Sequence, residues 1–202
     1  MKRQQRLMEL IKTDEPLWAA GVLFAGMDEA GRGPLAGNVV AACVVMPPEP
    51  LLEWVDDSKK LSPKRREAVY EQILKTALYV GVGEATPEEI DTINILNATK
   101  QAMRRAAKNV PAELFLIDAL EGLGLGGREK GIIHGDALCY AIAAASIVAK
   151  VTRDRQLEAL DVMYPAYGFG QHKGYGTAQH IAALKAYGPC PAHRKSFIGS
   201  FV

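Results

Sequence analysis

Apolar and polar positions follow two different spacings along this chain. Short, continuous apolar runs predict strands at residues 22–28, 36–46, 78–83, 113–118 and 131–136. Apolar residues at helical spacing predict helices at residues 3–12, 62–75, 86–108, 140–163 and about 177–187. A tight glycine-containing turn makes the first two strands antiparallel, whereas the later strands are reached through helices, which permits parallel addition. The pattern predicts an α/β fold with a mixed sheet, helices on its faces and a C-terminal helical extension.

Length and composition predict one soluble domain. The chain has 202 residues, of which 49% are hydrophobic, and this is enough for a single core. We expect residues 1–202 to form one domain, with a core at about 20–155 and the helical extension at about 156–202. No apolar run approaches the roughly 18 residues that span a bilayer. The basic N-terminal run also lacks the apolar segment of a signal peptide, so a cytoplasmic location without membrane contact is expected.

The three cysteines carry no pairing pattern. Cys43 and Cys139 lie in apolar runs and are expected to be small buried side chains. A disulfide framework is not expected, which is typical of proteins in a reducing compartment.

Positive charge is clustered, although the net charge is only +1. The three basic clusters are Lys59, Lys60, Lys64, Arg65 and Arg66; Lys100, Arg104, Arg105 and Lys108; and Lys150, Arg153 and Arg155. Such clusters either contact phosphates or form solvated helix faces, and the sequence leaves both interpretations open. The small net charge excludes a basic coat over the whole surface.

Four carboxylates lie at or beside the ends of apolar runs. Asp28 and Glu29 end the first run, Asp118 ends the fourth, and Asp136 stands at a strand-to-helix transition. Buried carboxylates are costly unless a cation pairs with them. One interpretation is a site for Mg²⁺ or Mn²⁺, which prefer oxygen ligands and act on phosphates. The alternative is that Asp28 pairs with Arg32 while Asp118 and Asp136 cap helices.

The turn after Glu29 is rich in glycine and carries one arginine, in the run Gly-Arg-Gly-Pro-Leu-Ala-Gly at residues 31–37. Its spacing and the strand that follows it disfavour a dinucleotide-binding turn, which needs a helix at that point. Glycines at 31 and 33 instead allow the backbone to approach a ligand closely. Arg32 is a candidate for bidentate phosphate binding.

A second unusual run places Tyr175 between two glycines and close to Lys173. Such a tyrosine either stacks on a sugar or base, with the lysine on a phosphate, or packs back on the core. The histidines fit no metal-binding spacing, and His180 and His193 are expected to be structural or solvent-facing. Asp154 lies far along the predicted helix from its start, and we expect it to pair with Arg153 or Arg155.

Several long motifs, in order, resemble the bacterial ribonuclease HII family, the type 2 RNases H. They are DEAGRGPLAG (28–37), DSKKLSP (57–63), INILNATKQAM (93–103), LID (116–118), GDALCYAIAAASIVAKVTRD (135–154) and YGFGQHKGYGT (167–177). The resemblance covers about residues 22–188. One departure is Ala119, because a glycine is expected soon after Asp118, whereas the chain places glycines at 122 and 124.

The resemblance implies an RNase H fold with a five-stranded mixed sheet. It implies a catalytic, metal-binding set at Asp28, Glu29, Asp118 and Asp136, holding two Mn²⁺ or Mg²⁺ ions. It implies substrate binding by Gly31, Arg32 and Gly33 at the 2′-hydroxyl, by Tyr175 at the RNA–DNA junction, and by Lys59, Lys60 and Lys173 at phosphates.

The activity that the resemblance implies is cleavage of RNA in RNA–DNA hybrids and on the 5′ side of single ribonucleotides in duplex DNA. The products would carry a 3′-hydroxyl and a 5′-phosphate. A monomer is expected, with a weak sliding-clamp contact through the apolar tail at residues 196–202, unless that tail is packed. Two alternatives are a non-catalytic module that binds hybrids and a nucleotide-cofactor enzyme that uses the glycine turn.

Overall fold

The computed structural model describes residues 2–201, and a five-stranded sheet forms the centre of this part of the chain. The strands are β1 (Phe24–Ala30), β2 (Val39–Val45), β3 (Tyr79–Ala85), β4 (Leu114–Asp118) and β5 (Arg128–Ile132). They lie in the order β3-β2-β1-β4-β5. β2 pairs antiparallel with β1 and β3, whereas β4 pairs parallel with β1 and β5. The predicted five-stranded mixed sheet is confirmed.

Helices cover both faces of this sheet. They are α1 (Lys2–Leu10), α2 (Glu15–Ala19), α3 (Pro63–Thr76), α4 (Pro87–Ala107), α5 (Gly135–Leu138), α6 (Tyr140–Met163), α7 (Phe169–His172), α8 (Ala178–Tyr187) and α9 (Lys195–Ile198), with a 3₁₀ turn at Ser58–Lys60. Alternate residues of a strand point to opposite faces. Ala42 therefore packs in the core beneath α6, and Cys43 in the core beneath α4. Among residues 2–201, no helix is both long and apolar enough to cross a membrane.

Close approach of helix and sheet depends on small residues. A Cβ atom on Gly26 of β1 would lie 2.1 Å from the backbone of Ala141 in α6. A Cβ atom on Gly81 of β3 would lie 1.9 Å from the carbonyl oxygen of Ala106 in α4. Real Cβ contacts do not reach these distances, so glycine lets both helices lie against the sheet backbone.

The last strand differs from the prediction, which placed it at 131–136. β5 spans Arg128–Ile132 and is an edge strand with exposed charged side chains, so it carries no continuous apolar run. His134 then takes a left-handed conformation, with φ of 58°, and ends the extended segment. Asp136 consequently lies in the first turn of α5 rather than at the end of a strand.

The N-terminal segment caps the longest helix from a distance. α6 has no side-chain cap from its own preceding residue, Cys139. Both carboxylate oxygens of buried Asp14 instead accept hydrogen bonds from the backbone N–H groups of Tyr140 and Ala141, each at 2.9 Å. Burial raises the pKa of Asp14 to about 6, against the effect of these bonds. Two N–H groups that helix geometry leaves without partners are thus satisfied.

A buried arginine of the C-terminal segment holds the glycine-rich loop that follows β1. The guanidinium of Arg194 donates hydrogen bonds to the carbonyl oxygens of Gly31, Arg32, Pro34 and Gly37, at 2.6–3.0 Å. Burial lowers its pKa to about 9, and the charge of another arginine adds to this effect. Backbone dipoles therefore solvate this cation in place of water.

That second arginine, Arg153 of α6, forms hydrogen bonds with the other half of the loop. It donates to the carbonyl oxygens of Asn38, Ala36 and Lys173, each at 3.0 Å. Burial lowers its pKa to about 10. Gly31 has a φ of 97°, and a Cβ atom there would lie 2.0 Å from Nε of Arg153. Glycine is therefore required where the loop passes this side chain.

Arg194→Lys tests whether the hydrogen bonds from Arg194 to the glycine-rich loop stabilise the protein. Lysine keeps the charge but lacks the planar set of five donors, so several buried carbonyl oxygens lose their partner. We expect the free energy of unfolding to fall by about 2–4 kcal/mol, measured by urea unfolding followed by circular dichroism. The exposed neighbour serves as control, since Lys195→Arg should change it by less than about 0.5 kcal/mol. Equal stability of the two variants would contradict the assignment.

Candidate active site

Three carboxylates converge at the carboxyl ends of the parallel strands β1 and β4. β1 and β4 run parallel with Met27 beside Ile117, so the residues that follow, Asp28 and Asp118, emerge side by side. The left-handed turn before α5 brings Asp136 to the same place. One carboxylate oxygen from each of the three aspartates lies within 4.8 Å of the others. This is the spacing of ligands around one metal ion or a close pair of ions.

A hydrogen bond joins two of the elements that carry these aspartates. Oδ1 of Asp118 accepts from the backbone N–H of Gly135, the first residue of α5, at 2.7 Å. Asp118 thus has the capping role of the alternative interpretation and also stays in the carboxylate cluster. Ala119 after it takes a φ of 49°, a region that favours glycine. The chain therefore places an alanine, where a glycine is expected close by, in a backbone conformation that glycine adopts more readily.

The cluster holds negative charge at a buried position. Burial raises the pKa of Asp28 well above its ordinary range, and the charges of Glu29 and Asp118 raise it further. Burial also raises the pKa of Asp118, with a contribution from the charge of Asp136. Carboxylates whose charges oppose one another in this way are stabilised by a cation placed between them.

Glu29 lies beside this three-carboxylate group. Its Oε1 is 3.3 Å from Nη1 of Arg32, so the arginine pairs with Glu29 and not with Asp28, as the alternative interpretation would have it. Its Oε2 is buried and has no hydrogen-bond partner among the described residues. Burial raises the pKa of Glu29, although Arg32 opposes the shift. A buried carboxylate oxygen without a donor, next to three oxygen ligands, fits a hard divalent cation better than zinc.

Lys59 supplies positive charge beside Asp136 of the cluster. Its Nζ lies 3.4 Å from Oδ2 of Asp136. Partial burial lowers its pKa, but the charges of Asp136, Asp57 and Asp28 together raise it above the ordinary value. The turn that carries it is held by Arg66, which donates to the carbonyl oxygen of Ser58 at 2.8 Å.

A cleft of about 280 Å³ opens beside these groups. It is lined by Asp28, Glu29, Ala30, Gly31, Arg32, Gly33, Ser58, Lys59, Lys150, Arg153 and Tyr175. Tyr175 is 47% exposed, and its Cε1 lies 3.8 Å from the position of a Cβ atom on Gly33. The tyrosine therefore faces the glycine-rich loop across the cleft instead of packing into the core.

Two of the candidate substrate-binding lysines lie elsewhere. Lys60 is exposed on the 3₁₀ turn and does not line the cleft. Nζ of Lys173 forms an ion pair with Glu158 at 2.7 Å, and its side chain lines a separate cavity.

The predicted partners of Asp154 are wrong. Asp154 pairs with Lys150 at 2.6 Å, one turn earlier on α6, and with Arg66 of α3 at 3.3 Å. Arg155 points outward instead and pairs with Glu67 and Glu71.

Arg66 and Arg153, members of two different basic clusters, are buried and bind carbonyl oxygens. The clusters therefore mix structural and exposed cations. Residue spacing could have shown the position of Arg153, because it stands four residues from both Ala149 and Leu157 on the buried face of α6.

Known proteins share both the sequence and the fold. A family model described as Ribonuclease HII matches residues 25–200. The Ribonuclease HII of Acetivibrio thermocellus is 49% identical over 205 residues, which cover 100% of this chain and 80% of that protein. The Ribonuclease HII of Polynucleobacter asymbioticus is 55% identical over 182 residues, which cover 87% of this chain and 93% of that protein.

Solved structures agree with these matches. A chain of the PCNA:RNase HII complex from Archaeoglobus fulgidus is similar with a TM-score of 0.75 and 29% identity, covering 86% of this chain and 94% of that one. The ribonuclease H2 from Pyrococcus horikoshii has a TM-score of 0.70 and 28% identity, covering 86% and 92%. Bst-RNase HIII in complex with Mn²⁺ shares the fold, with a TM-score of 0.60 and 18% identity, covering 83% and 63%. The chain belongs to the ribonuclease HII family, whose members are RNase H-type hydrolases.

Proposed function

We propose that this protein is a metal-dependent endoribonuclease that cleaves the RNA strand of RNA–DNA hybrids. We propose further that it cuts on the 5′ side of single ribonucleotides in duplex DNA and leaves 3′-hydroxyl and 5′-phosphate ends. The observation that carries this proposal is the convergence of Asp28, Asp118 and Asp136 beside the cleft of a ribonuclease HII chain.

In this proposal four carboxylates hold two Mg²⁺ or Mn²⁺ ions. Asp28, Asp118 and Asp136 would hold the ions through the oxygens that lie within 4.8 Å of one another, and Glu29 would add a fourth carboxylate. The unpaired Oε2 of Glu29 supports its inclusion. Bst-RNase HIII, which shares the fold, was solved in complex with Mn²⁺. When bound, the ions act as Lewis acids on the attacking and leaving oxygens of the phosphodiester.

The glycine-rich loop recognises the ribonucleotide. Arg194 fixes the carbonyl oxygens of Gly31 and Arg32, and this also fixes the direction of the adjoining N–H groups. With Gly33, these groups approach the 2′-hydroxyl, which is both a donor and an acceptor and distinguishes RNA from DNA. A loop that is already ordered binds more tightly than a mobile one because less conformational entropy is lost on binding.

Tyr175 and the lysines contact the neighbouring backbone. The half-exposed ring of Tyr175 packs against the deoxyribose next to the ribonucleotide, which explains its place across the cleft from Gly33. Lys59 binds a phosphate beside the reacting one. Lys60 and Lys173 bind phosphates further along the duplex, and Lys173 leaves Glu158 when it does so.

A sliding-clamp contact is proposed through the C-terminal tail. The support is the PCNA:RNase HII complex from Archaeoglobus fulgidus. In this chain Ile198 is buried, and Phe197 and Phe201 pack partly against the same small core, so the clamp would bind a tail that detaches. Val202, the last residue of that predicted motif, lies outside the described residues.

The direct test of the proposed function uses a labelled DNA duplex with one embedded ribonucleotide, an all-DNA duplex and a long hybrid. We expect one cut on the 5′ side of the ribonucleotide with Mg²⁺ or Mn²⁺, and none with EDTA or in the all-DNA duplex. Tight binding without cleavage of either RNA-containing substrate would instead favour the non-catalytic binding module.

Asp118→Asn tests the carboxylate cluster. The substitution keeps the shape but removes a charge shared between two ions, and a loss of several kcal/mol of transition-state stabilisation corresponds to about 1,000-fold or more in rate. Hybrid binding, measured by fluorescence anisotropy, should persist. Glu88→Gln, at an exposed carboxylate of α4, should leave cleavage unchanged. An Asp118→Asn enzyme that cleaves normally would overturn the four-carboxylate assignment.

Tyr175→Ala tests the junction contact. We expect cleavage at a single ribonucleotide to fall by about tenfold or more, as for the loss of one stacking contact of about 1–3 kcal/mol. Cleavage inside a long hybrid should fall less, because no junction is needed there. Tyr187→Ala, at an exposed tyrosine that does not line the cleft, is the matched control. Equal losses on both substrates would contradict a role at the junction.

A further inference from the structure

Three histidines form a connected group behind the cleft, and the proposed reaction uses none of them. His180 and His193 are buried, so the structural interpretation of these two is correct. Their Nε2 atoms lie 3.0 Å apart. The ring of His172 stacks on that of His180, with centroids 4.4 Å apart and an angle of 14°. All three lie on segments that surround the loop carrying Tyr175.

Hydrogen-bond chemistry gives the connection between His193 and Tyr175 one direction. Nδ1 of His193 lies 3.0 Å from the backbone N–H of Cys190, which only donates, and 3.3 Å from the carbonyl oxygen of Cys190. The shorter contact makes this nitrogen the acceptor, so it carries no proton. Nε2 of His193 then carries the proton and donates to Nε2 of His180. His180 in turn carries its proton on Nδ1, which donates to the carbonyl oxygen of Tyr175 at 2.9 Å. Each step has one donor and one acceptor.

Both histidines are therefore neutral, and a second proton on either would oppose an existing donor. Burial is the main reason why the pKa of each is lowered, that of His193 to about 4. These shifts agree with the arrangement deduced from the hydrogen bonds.

His172 holds Gly174, the residue before Tyr175, through a similar pair of hydrogen bonds. Its Nε2 lies 2.8 Å from the carbonyl oxygen of Tyr167, which only accepts, so its Nδ1 is free to accept from the N–H of Gly174 at 3.2 Å. Gly174 has a φ of 80°, and a Cβ atom there would lie 2.6 Å from the carbonyl oxygen of Ala36. Its own carbonyl oxygen accepts from Leu35 at 2.8 Å. The backbone before Tyr175 is thus held between the histidines and the glycine-rich loop.

We propose that His180 and His193 are positioning residues that fix the backbone of Tyr175 and, through it, the position of the ring opposite Gly33. The role of the ring in substrate selection rests on the proposed function, whereas the control of the backbone does not. Neither histidine lines the cleft, and their side chains reach the backbone of Tyr175 through the hydrogen bond that His180 donates.

A matched pair of substitutions separates the two ends of the His180 ring. His180→Asn places an amide nitrogen where Nδ1 stood, so it keeps a donor to Tyr175 and loses the contact with His193. His180→Gln places its amide near Nε2, so it keeps the contact with His193 and loses the donor to Tyr175. Each variant gives up one hydrogen bond, and similar stabilities are expected from urea unfolding.

The first readout is hydrogen exchange of the backbone at residues 173–177, which needs no activity. We expect about tenfold faster exchange in His180→Gln than in wild type, since the loss of one buried hydrogen bond corresponds to about this factor. His180→Asn should stay close to wild type. Equal exchange in the two variants, or the reverse order, would overturn the proposal.

The second readout is the ratio of cleavage at a single ribonucleotide to cleavage in a long hybrid. His180→Gln should lower this ratio as Tyr175→Ala does, and His180→Asn should preserve it. If the wild type cleaves neither substrate, the proposed function fails, while hydrogen exchange still decides whether the histidines hold Tyr175. If the ratio depends on Tyr175 but is equal in the two His180 variants, the positioning role is wrong.

If a variant at position 180 does not fold, the same two substitutions at position 193 provide an independent test. There the contact to preserve is made by Nε2, so His193→Gln retains the donor to His180 and His193→Asn does not. The order of the two substitutions should therefore reverse, with the Asn variant exchanging faster at residues 173–177. A reversal of this kind does not arise from general destabilisation, and an unreversed order would contradict the proposal.

Discussion

Two buried cations, Arg153 and Arg194, determine the shape of the loop on which the candidate site depends. Neither guanidinium forms an ion pair among the described residues. Both bind carbonyl oxygens of residues 31–38, and burial lowers the pKa of each without neutralising it. Since a buried charge without partners is strongly destabilising, the loop adopts the conformation that supplies those oxygens. Glycine at 31 and 37, with positive φ, makes that conformation accessible.

The carboxylates present the opposite arrangement at the other side of the same loop. Asp28, Asp118 and Asp136 gather negative charge at a sheet edge, and burial is the first cause of the raised pKa of Asp28 and of Asp118. Lys59 approaches Asp136 of this group, whereas Arg32 approaches the neighbouring Glu29, so the charge of the group is only partly neutralised. Backbone carbonyl oxygens thus surround the two buried guanidinium groups, whereas the carboxylates of the acidic cluster face one another. The cations of this region are satisfied, and the negative charge of the cluster is not.

Local sequence patterns were sufficient to predict the elements whose stability depends on residues close together in the sequence. The predicted bounds of α6 match the structure. The predicted helix starts near 62, 86 and 177 also match, and the side chains of Ser62, Thr86 and Thr177 each accept a hydrogen bond from the first turn of the helix that follows. The carboxylates of the site were also recognisable, because each stands at or near the end of an apolar run. Edge strand β5 was misplaced since an exposed strand needs no apolar run, and its bounds are set by the backbone of β4. The roles of Asp14 and Arg194 could not be predicted, because their partners are more than 100 residues away. The partners of the histidines are loop backbone groups and each other, and no residue spacing indicates these contacts.

Both ends of the chain take part in building the site. Asp14 caps the helix that follows Asp136, Arg6 donates to the carbonyl oxygen of Ala137 at 2.9 Å, and Arg194 grips the loop after β1. During synthesis, a nascent chain lacks the donor for four carbonyl oxygens of the glycine-rich loop until residue 194 has left the ribosome. Domains generally fold as units once their chain has emerged, and here the strands and the three aspartates leave the ribosome well before residue 194. The glycine-rich loop therefore gains the side chain that holds it only when the C-terminal segment has emerged.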